Sequence, residues 1–282
     1  MIQCDKVYKS FSGKTVLSGI DFEIPDGQIF GLLGPSGAGK TTLIKILIGQ
    51  LSFDSGNVSI MDKEVGRLTG TDKENIGIMM DQFGLYERLS CFDNLKIYSE
   101  IYGISKEKII ETLELVGLKD AVKKPAANLS KGMRARLCLA RVFMHSPKVI
   151  FLDEPTSGLD PQTMRQIHKI ILDKKRKGCT IFLTTHNMEE ATDLCDTVAL
   201  LNEGKIVDCG SPKEICRKYN HQKRIIMHLA SGEDLDVAHG RESANEIFRL
   251  LEEGKIETIH SSEPTLETVF LELTGKKLEE GA

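Results

Sequence analysis

Gly34-Pro35-Ser36-Gly37-Ala38-Gly39-Lys40-Thr41-Thr42 holds three glycines, a lysine and three hydroxyls, and matches the G-x-x-x-x-G-K-[ST] spacing. Glycines at 34, 37 and 39 let the backbone turn successive N–H groups inward around an anion, where side chains would clash. Lys40 can then reach the β- and γ-phosphates of a nucleotide, and the Thr41 hydroxyl can ligate Mg²⁺. The loop is flanked by the apolar run Ile29–Leu33 and by the helical pattern of Leu43, Ile44, Ile46, Leu47 and Ile48. An ordinary glycine-rich turn does not need that strand and helix; a phosphate cradle does, because the helix start adds its positive dipole end. This is a nucleotide site.

Breaking a phosphate ester with water requires a metal, a group that places the water, and charge to stabilise the transferring phosphoryl. Asp153 ends the apolar run Val149–Leu152, at the place of a carboxylate holding Mg²⁺. Glu154 follows; in an extended segment its side chain points away from that of Asp153 and can polarise an attacking water. His186 ends the next strand pattern, residues 179–186, at the carboxyl edge where ligands of doubly wound sheets collect. Gln82 closes another strand pattern, residues 76–82. Each of the last two has a structural reading when taken alone.

The elements that must position these groups can be read in order. Residues 1–27 predict strand, turn and strand, with Ile20, Phe22 and Ile24 alternating with Asp21 and Glu23. Phe11, in the polar turn Lys9–Lys14, is either an aromatic that stacks on an adenine base or a peripheral core residue. A strand over Asn57–Ile60 follows Asp54-Ser55-Gly56. From 86 to 146 the pattern is helical. One helix starts at Ser90 with Leu95, Tyr98, Ile101 and Tyr102 on one face and Gly103 as its stop. A second carries Ile109, Ile110, Leu113 and Val116, and a third runs from Ser130 to His145 with Leu137, Ala140 and Met144 inward. The strand over 148–155 is apolar throughout, as a strand buried on both faces of a parallel sheet should be. A helix at 161–176, a strand at 179–186, a helix at 188–195, a strand at 197–204 and a return strand at 205–210 follow. Beyond Ser211 the tail predicts strands in Arg224–Ala230 and Lys255–His260 and a helix over Ser243–Gly254. In a last helix, opened by Pro264 and closed by Gly275, Leu266, Val269, Phe270 and Leu273 form one stripe.

Composition excludes several classes. The 282 residues carry 40% hydrophobic and 28% charged side chains and a net charge of −4, so no overall basic field invites nucleic acid. The longest apolar runs are about five or six residues, against roughly 18 for a bilayer span, and the start MIQCDKVYKS carries no signal segment. A soluble chain is expected, with any membrane role supplied by another polypeptide. The seven cysteines include no C-x-x-C pair, and several lie in apolar segments, which reads as reduced thiols in a cytosol.

Taken together in this order, the residues resemble an ABC-transporter ATP-binding subunit over residues 1 to about 215. In that resemblance GPSGAGKTT is the Walker A loop, Gln82 the Q-loop glutamine, VIFLDE the Walker B strand and His186 the switch histidine. Phe11 matches the adenine-stacking aromatic and Val16 a residue packing beside it. Leu129-Ser130-Lys131-Gly132-Met133 stands at the signature LSGGQ, and Ser157-Gly158-Leu159-Asp160 at the D-loop. Lys131 replaces a glycine and Met133 a glutamine; Ser130 and Gly132 remain, and Lys131 adds positive charge.

The resemblance implies an α/β P-loop NTPase fold: a RecA-like core with an antiparallel β subdomain and a helical insert at about 86–146, then a small α+β tail from 216 to 282. It implies ATP and Mg²⁺ as ligands, the metal on Thr41, Gln82 and Asp153, and catalysis by Lys40, Gln82, Glu154 and His186. It further implies a head-to-tail dimer, with itself or with a second ABC ATPase, each ATP lying between one Walker A loop and the other chain's signature. A separate transmembrane permease would be met by the helical insert, which puts the chain on the cytoplasmic face of the membrane. The tail motif EPTLETVFLELTG resembles ATPases of ABC-2-type exporters. A soluble ABC ATPase outside transport and an importer subunit are the competing functions.

Overall fold

The computed structural model describes residues 1–80, 84–221 and 223–275, and contacts divide them into two compact units that part after Gly210. In the first unit, strands β1 (Ile2–Phe11), β2 (Lys14–Ile24) and β3 (Ile29–Leu33) lead into helix α1 (Lys40–Leu47). Next come β4 (Ser55–Ile60), β5 (Lys63–Glu64), the single turn α2 (Gly70–Lys73) and β6 (Ile76–Met79). Helices α3 (Cys91–Tyr102), α4 (Lys106–Leu115) and α5 (Lys131–Phe143) form the insert. The unit closes with β7 (Val149–Asp153), α6 (Pro161–Arg176), β8 (Thr180–Thr185), α7 (Met188–Leu194), β9 (Thr197–Asn202) and β10 (Lys205–Gly210).

Two sheets share the core. One is antiparallel, in the order β2-β1-β4-β5; the other runs β10-β9-β3-β8-β7-β6, parallel except for β10 at its edge. The β1–β2 hairpin turns on Ser12 and Gly13, both with positive φ (49° and 82°), as a two-residue turn matching the strand twist requires. Strands β3, β7 and β8 are buried along their whole length, and burial on both faces accounts for the apolar runs Ile29–Leu33, Val149–Leu152 and Ile181–Leu183. Phe22 of β2 stacks on Phe30 of β3 at 4.8 Å between ring centroids, and Phe30 lies 5.6 Å from Phe182 of β8. These rings join the two sheets.

In the insert, Ser90 caps α3 by accepting the Asp93 N–H, and Gly103 ends it in the left-handed conformation. The buried face of α3 is Cys91, Asn94, Leu95 and Ser99, rotated from the expected stripe; Ile101 is 70% exposed. Polar Asn94 takes the inward place because its side chain ties the preceding loop, accepting from Tyr86 N and donating to Tyr86 O, Leu89 O and Ser90 O. Ile110 on α4 is likewise half-exposed, whereas Ile109 and Leu113 are fully buried.

The second unit holds α8 (Pro212–Lys218), β11 (Arg224–Leu229), β12 (Asp234–Ala238), α9 (Arg241–Glu252), β13 (Ile256–Ser262) and α10 (Leu266–Thr274). Its sheet is antiparallel, in the order β12-β11-β13. The expected boundary at 215 falls inside α8, which packs against α10 and so belongs with this unit. Thr265, one residue after Pro264, caps α10, whose Leu266, Val269 and Phe270 are buried. Strand β12 lies outside the stretches expected to form strands. No helix among the described residues is long and apolar enough to cross a membrane.

Candidate functional site

Three adjacent parallel strands end at the same edge. Register pairs Leu33 with Thr185 and Asp153 with Thr184, so the residues just beyond, Gly34, His186 and Glu154, emerge side by side. The phosphate loop leans on the neighbouring strand: a Cβ on Gly34 would come 2.4 Å from the Leu201 carbonyl oxygen. Gly37 has φ +78° and Gly39 φ +111°, values that favour glycine. A Cβ on Gly39 would also come within 2.8 Å of Leu17. Within the loop, Ala38 N–H donates to the Pro35 carbonyl at 3.2 Å.

Lys40 is 6% exposed and donates to the Gly34 carbonyl at 2.7 Å and the Pro35 carbonyl at 3.2 Å. Its Nζ lies 3.6 Å from Glu154 Oε1. The Thr41 hydroxyl donates to Asp153 Oδ2 at 3.2 Å, and the Thr184 hydroxyl donates to Asp153 Oδ1. Thr184 was not singled out from the sequence, although a threonine in a buried apolar run is a polar side chain that needs a partner.

Glu154 departs from the extended backbone expected of it. Its φ is +48°, a left-handed value uncommon for a residue with a side chain. The turn begins there, and Glu154 N–H donates to the Thr184 carbonyl at 3.1 Å. The carboxylate meets His186, whose Nδ1 is 3.2 Å from Glu154 Oε2. That hydrogen bond holds the Glu154 carboxyl below its ordinary value, outweighing a burial that pushes it up. The same contact raises His186, against burial and Lys40.

A cavity of about 320 Å³ is lined by Val16, Ser36, Gly37, Gly39, Lys40, Thr41, Thr42, Asp153 and Glu154. A larger cavity of about 410 Å³, around Lys108, Phe143 and Cys179, contains none of the expected site residues. The smaller one suits a phosphate chain. Gly37 lines it, and a Cβ there would meet nothing within 4 Å, so only glycine leaves that space open. Gly39 brings no side-chain acceptor to the start of α1, whose first turn holds no acid, which leaves its leading N–H groups for an anion. The hydroxyl of Thr41 and the carboxylate of Asp153 are the hard oxygen donors that Mg²⁺ takes alongside substrate phosphates.

The other expected residues lie elsewhere. Phe11 is 44% exposed with Lys9 over its ring at 5.1 Å, so it is no core residue, and it does not line the cavity. Ser130 caps α5, accepting the Met133 N–H at 3.3 Å. Ser130, Lys131, Gly132 and Met133 are absent from the cavity lining. Lys131 reaches back over Gly158, where a Cβ would come 2.2 Å from its Nζ, and a Cβ on Gly132 would strike Thr163. Asp160 caps α6, accepting the Thr163 N–H at 2.9 Å. Gln82 lies outside the described residues.

A family model described as ABC transporter matches residues 17–157, half of the chain. The chain belongs to the ABC transporter family. This ABC ATPase is 38% identical to the fluoroquinolones export ATP-binding protein of Mycobacterium tuberculosis, over 95% of the chain and 90% of that protein. It is 30% identical to the linearmycin resistance ATP-binding protein LnrL of Bacillus subtilis, over 99% of both. A solved structure described as an ATP-binding subunit of an ABC transporter superposes with a TM-score of 0.70 at 26% identity, over 78% of this chain and 93% of that one. That of cbiO1 from Clostridium perfringens gives 0.70 at 28% identity, over 78% and 94%. The P-loop fold and the hydrolysis of ATP thus belong to this chain.

Proposed function

We propose that this ABC ATPase energises the export of a compound through a separate transmembrane permease, with each ATP held between two copies or between this chain and a second ABC ATPase. The observation that supports the site most strongly is the meeting of Lys40, Asp153, Glu154 and His186 at three adjacent strand ends. The export direction draws on relatives named for fluoroquinolone export, linearmycin resistance and lantibiotic transport.

Lys40 neutralises the β- and γ-phosphates, exchanging the Gly34 and Pro35 carbonyls for phosphate oxygens. Glu154, ionised and aimed by its left-handed backbone, orients and polarises water, while His186 contacts the γ-phosphate and steadies the carboxylate. Thr41 and Asp153, with Gln82, would hold Mg²⁺, which supplies charge neutralisation across the phosphates. Phe11 and Val16 take the adenine. Ser130, Lys131, Gly132 and Met133 close on the nucleotide of the partner chain, next to Asp160 and its loop. The helical insert offers exposed Ile101 and Tyr86 to the permease, which locates the chain at the cytoplasmic face.

Co-purification from membranes with the permease, followed by ATP-dependent drug transport in inside-out vesicles, tests this reading. Uptake into such vesicles supports export. A purified complex that moves its cargo the other way, or a chain that binds no membrane protein, refutes it.

A further inference from the structure

Glu190, on α7, is the most deeply buried carboxylate outside the cavity among the described residues, at 1% exposure. Its Oε1 accepts from the Thr156 hydroxyl at 2.6 Å and lies 3.2 Å from His168 Nε2 of α6. Thr156 is itself 3% exposed and sits two residues beyond Glu154, in the turn where Ser157 N–H donates to the Glu154 carbonyl at 3.2 Å. At its other end, Glu190 N–H donates to Asn187 Oδ1 at 3.0 Å, and Asn187 N–H donates to Thr185 Oγ1 at 3.0 Å. His186 lies between those two residues.

A carboxylate in this position is costly packing. Taking a carboxylate out of water costs free energy that hydrogen bonds must return, and Glu190 Oε2 has no hydrogen-bond partner among the described residues. An apolar residue would fill the space at lower cost. What the carboxylate joins is specific: through Thr156 it ties the turn that carries Glu154 to the first turn of α7, whose cap on Asn187, closed by the Glu190 backbone N–H, directly follows His186. Those two groups stand on separate strand ends, with the Glu154 carboxylate paired to His186 and to Lys40. A chemical step that needs them at a fixed spacing needs the two loops fixed as well.

We infer that Glu190 is a positioning residue for ATP hydrolysis, holding the Glu154 turn through the Thr156 hydroxyl and the His186 loop through the cap at Asn187. Its charge also bears on His186, where it adds to the raising effect of Glu154. The inference rests on Glu154 and His186 being the acting groups, so its test runs beside Glu154→Gln.

The full chain is prepared as Glu190→Ala, Glu190→Gln, Thr156→Val, Thr156→Ser and the double Glu190→Ala/Thr156→Val. Steady-state hydrolysis of Mg-ATP gives kcat and KM, a fluorescent ATP analogue gives binding, and thermal melting gives stability. Expected is a fall in kcat of about 10- to 100-fold for Glu190→Ala and Thr156→Val, with KM and binding within about threefold. Thr156→Ser keeps the hydroxyl, and Glu190→Gln keeps the acceptor, so both should recover most of the rate. The double variant should be no slower than the slower single, because both remove one link. A packing role alone would lower the melting temperature and leave kcat of the folded protein unchanged. Thr156→Val, nearly isosteric, carries the test if Glu190→Ala does not fold. The inference is overturned if folded variants turn over within about twofold of wild type while Glu154→Gln is inactive, or if the two losses multiply. Near-normal turnover by Glu154→Gln would instead remove the reading beneath it.

Discussion

Glu154→Gln isolates the carboxylate's charge from its shape. The amide keeps the side-chain length, retains an acceptor for Lys40 Nζ at 3.6 Å and keeps hydrogen-bonding capacity toward His186 Nδ1 at 3.2 Å. What goes is the negative charge that polarises water. General-base assistance contributes about 10²- to 10⁴-fold, or roughly 2.7–5.4 kcal/mol of barrier at about 1.36 kcal/mol per decade. Turnover should fall by that factor, with ATP binding retained and an ATP-bound dimer accumulating. Glu154→Gly supplies an internal control on the backbone. Glycine accepts φ +48° without strain, which relieves about 1 kcal/mol; losing the His186 hydrogen bond costs about 1 kcal/mol. The two offset, so the melting temperature should stay within about 3 °C of wild type while turnover is lost as fully as in Glu154→Gln. Phosphate release under saturating Mg-ATP and size-exclusion chromatography with ATP read the outcomes. Glu154→Gln turning over within about threefold of wild type would refute the assignment, and Gln82 would become the candidate for placing the water.

Lys40→Ala should abolish turnover while some nucleotide binding survives through the loop's N–H groups; wild-type hydrolysis by the folded variant removes Lys40 from the chemistry. His186→Ala should cut hydrolysis and expose a pH dependence of stability. Glu154, lowered from 4.5, stabilises above that pH and loses its contribution as pH falls through its native value. His186, raised from 6.5, stabilises fully below that pH and loses its contribution as pH rises through its native value. The melting gap between wild type and His186→Ala, about 2–4 °C, should therefore peak between about pH 5 and 6 and shrink on either side; a gap flat from pH 5 to 9 contradicts the pairing. Mixing Lys40→Ala with Ser130→Arg chains should regenerate one intact nucleotide site per mixed dimer if sites are shared; mixed dimers with no ATP-binding site refute sharing.

The phosphate loop was legible because its chemistry is local: glycine spacing, strand before and helix after all lie within Ile29–Ile48. Asp153 and His186 were legible from strand ends, since a parallel register brings such ends together. Glu154 was found for an incomplete reason. Alternation along an extended strand predicted its direction, whereas the chain leaves the strand there and a left-handed residue does the aiming. Thr184 and Glu190 escaped notice because their roles come from partners 31 and 34 residues away in the chain, Asp153 and Thr156. On α3 the apolar pattern misled: Asn94 turns inward to bond a loop, which leaves Ile101 outside. Strand β12 alternates half-buried and exposed residues and includes two aspartates, so it pairs at a sheet edge without an apolar signal.

The contact between Lys131 and Gly158 has a historical consequence. The lysine ammonium occupies the space where any β-carbon at 158 would sit. Because the atom in the way is the free end of a flexible, exposed side chain, Lys131 swings aside at little cost, and what selects glycine at 158 is its φ of +65°, a cost of about 1 kcal/mol for alanine. The two sites, 27 positions apart in the chain, therefore constrain each other little: a lineage that gains lysine at 131 needs no prior change at 158, whose glycine answers to the backbone.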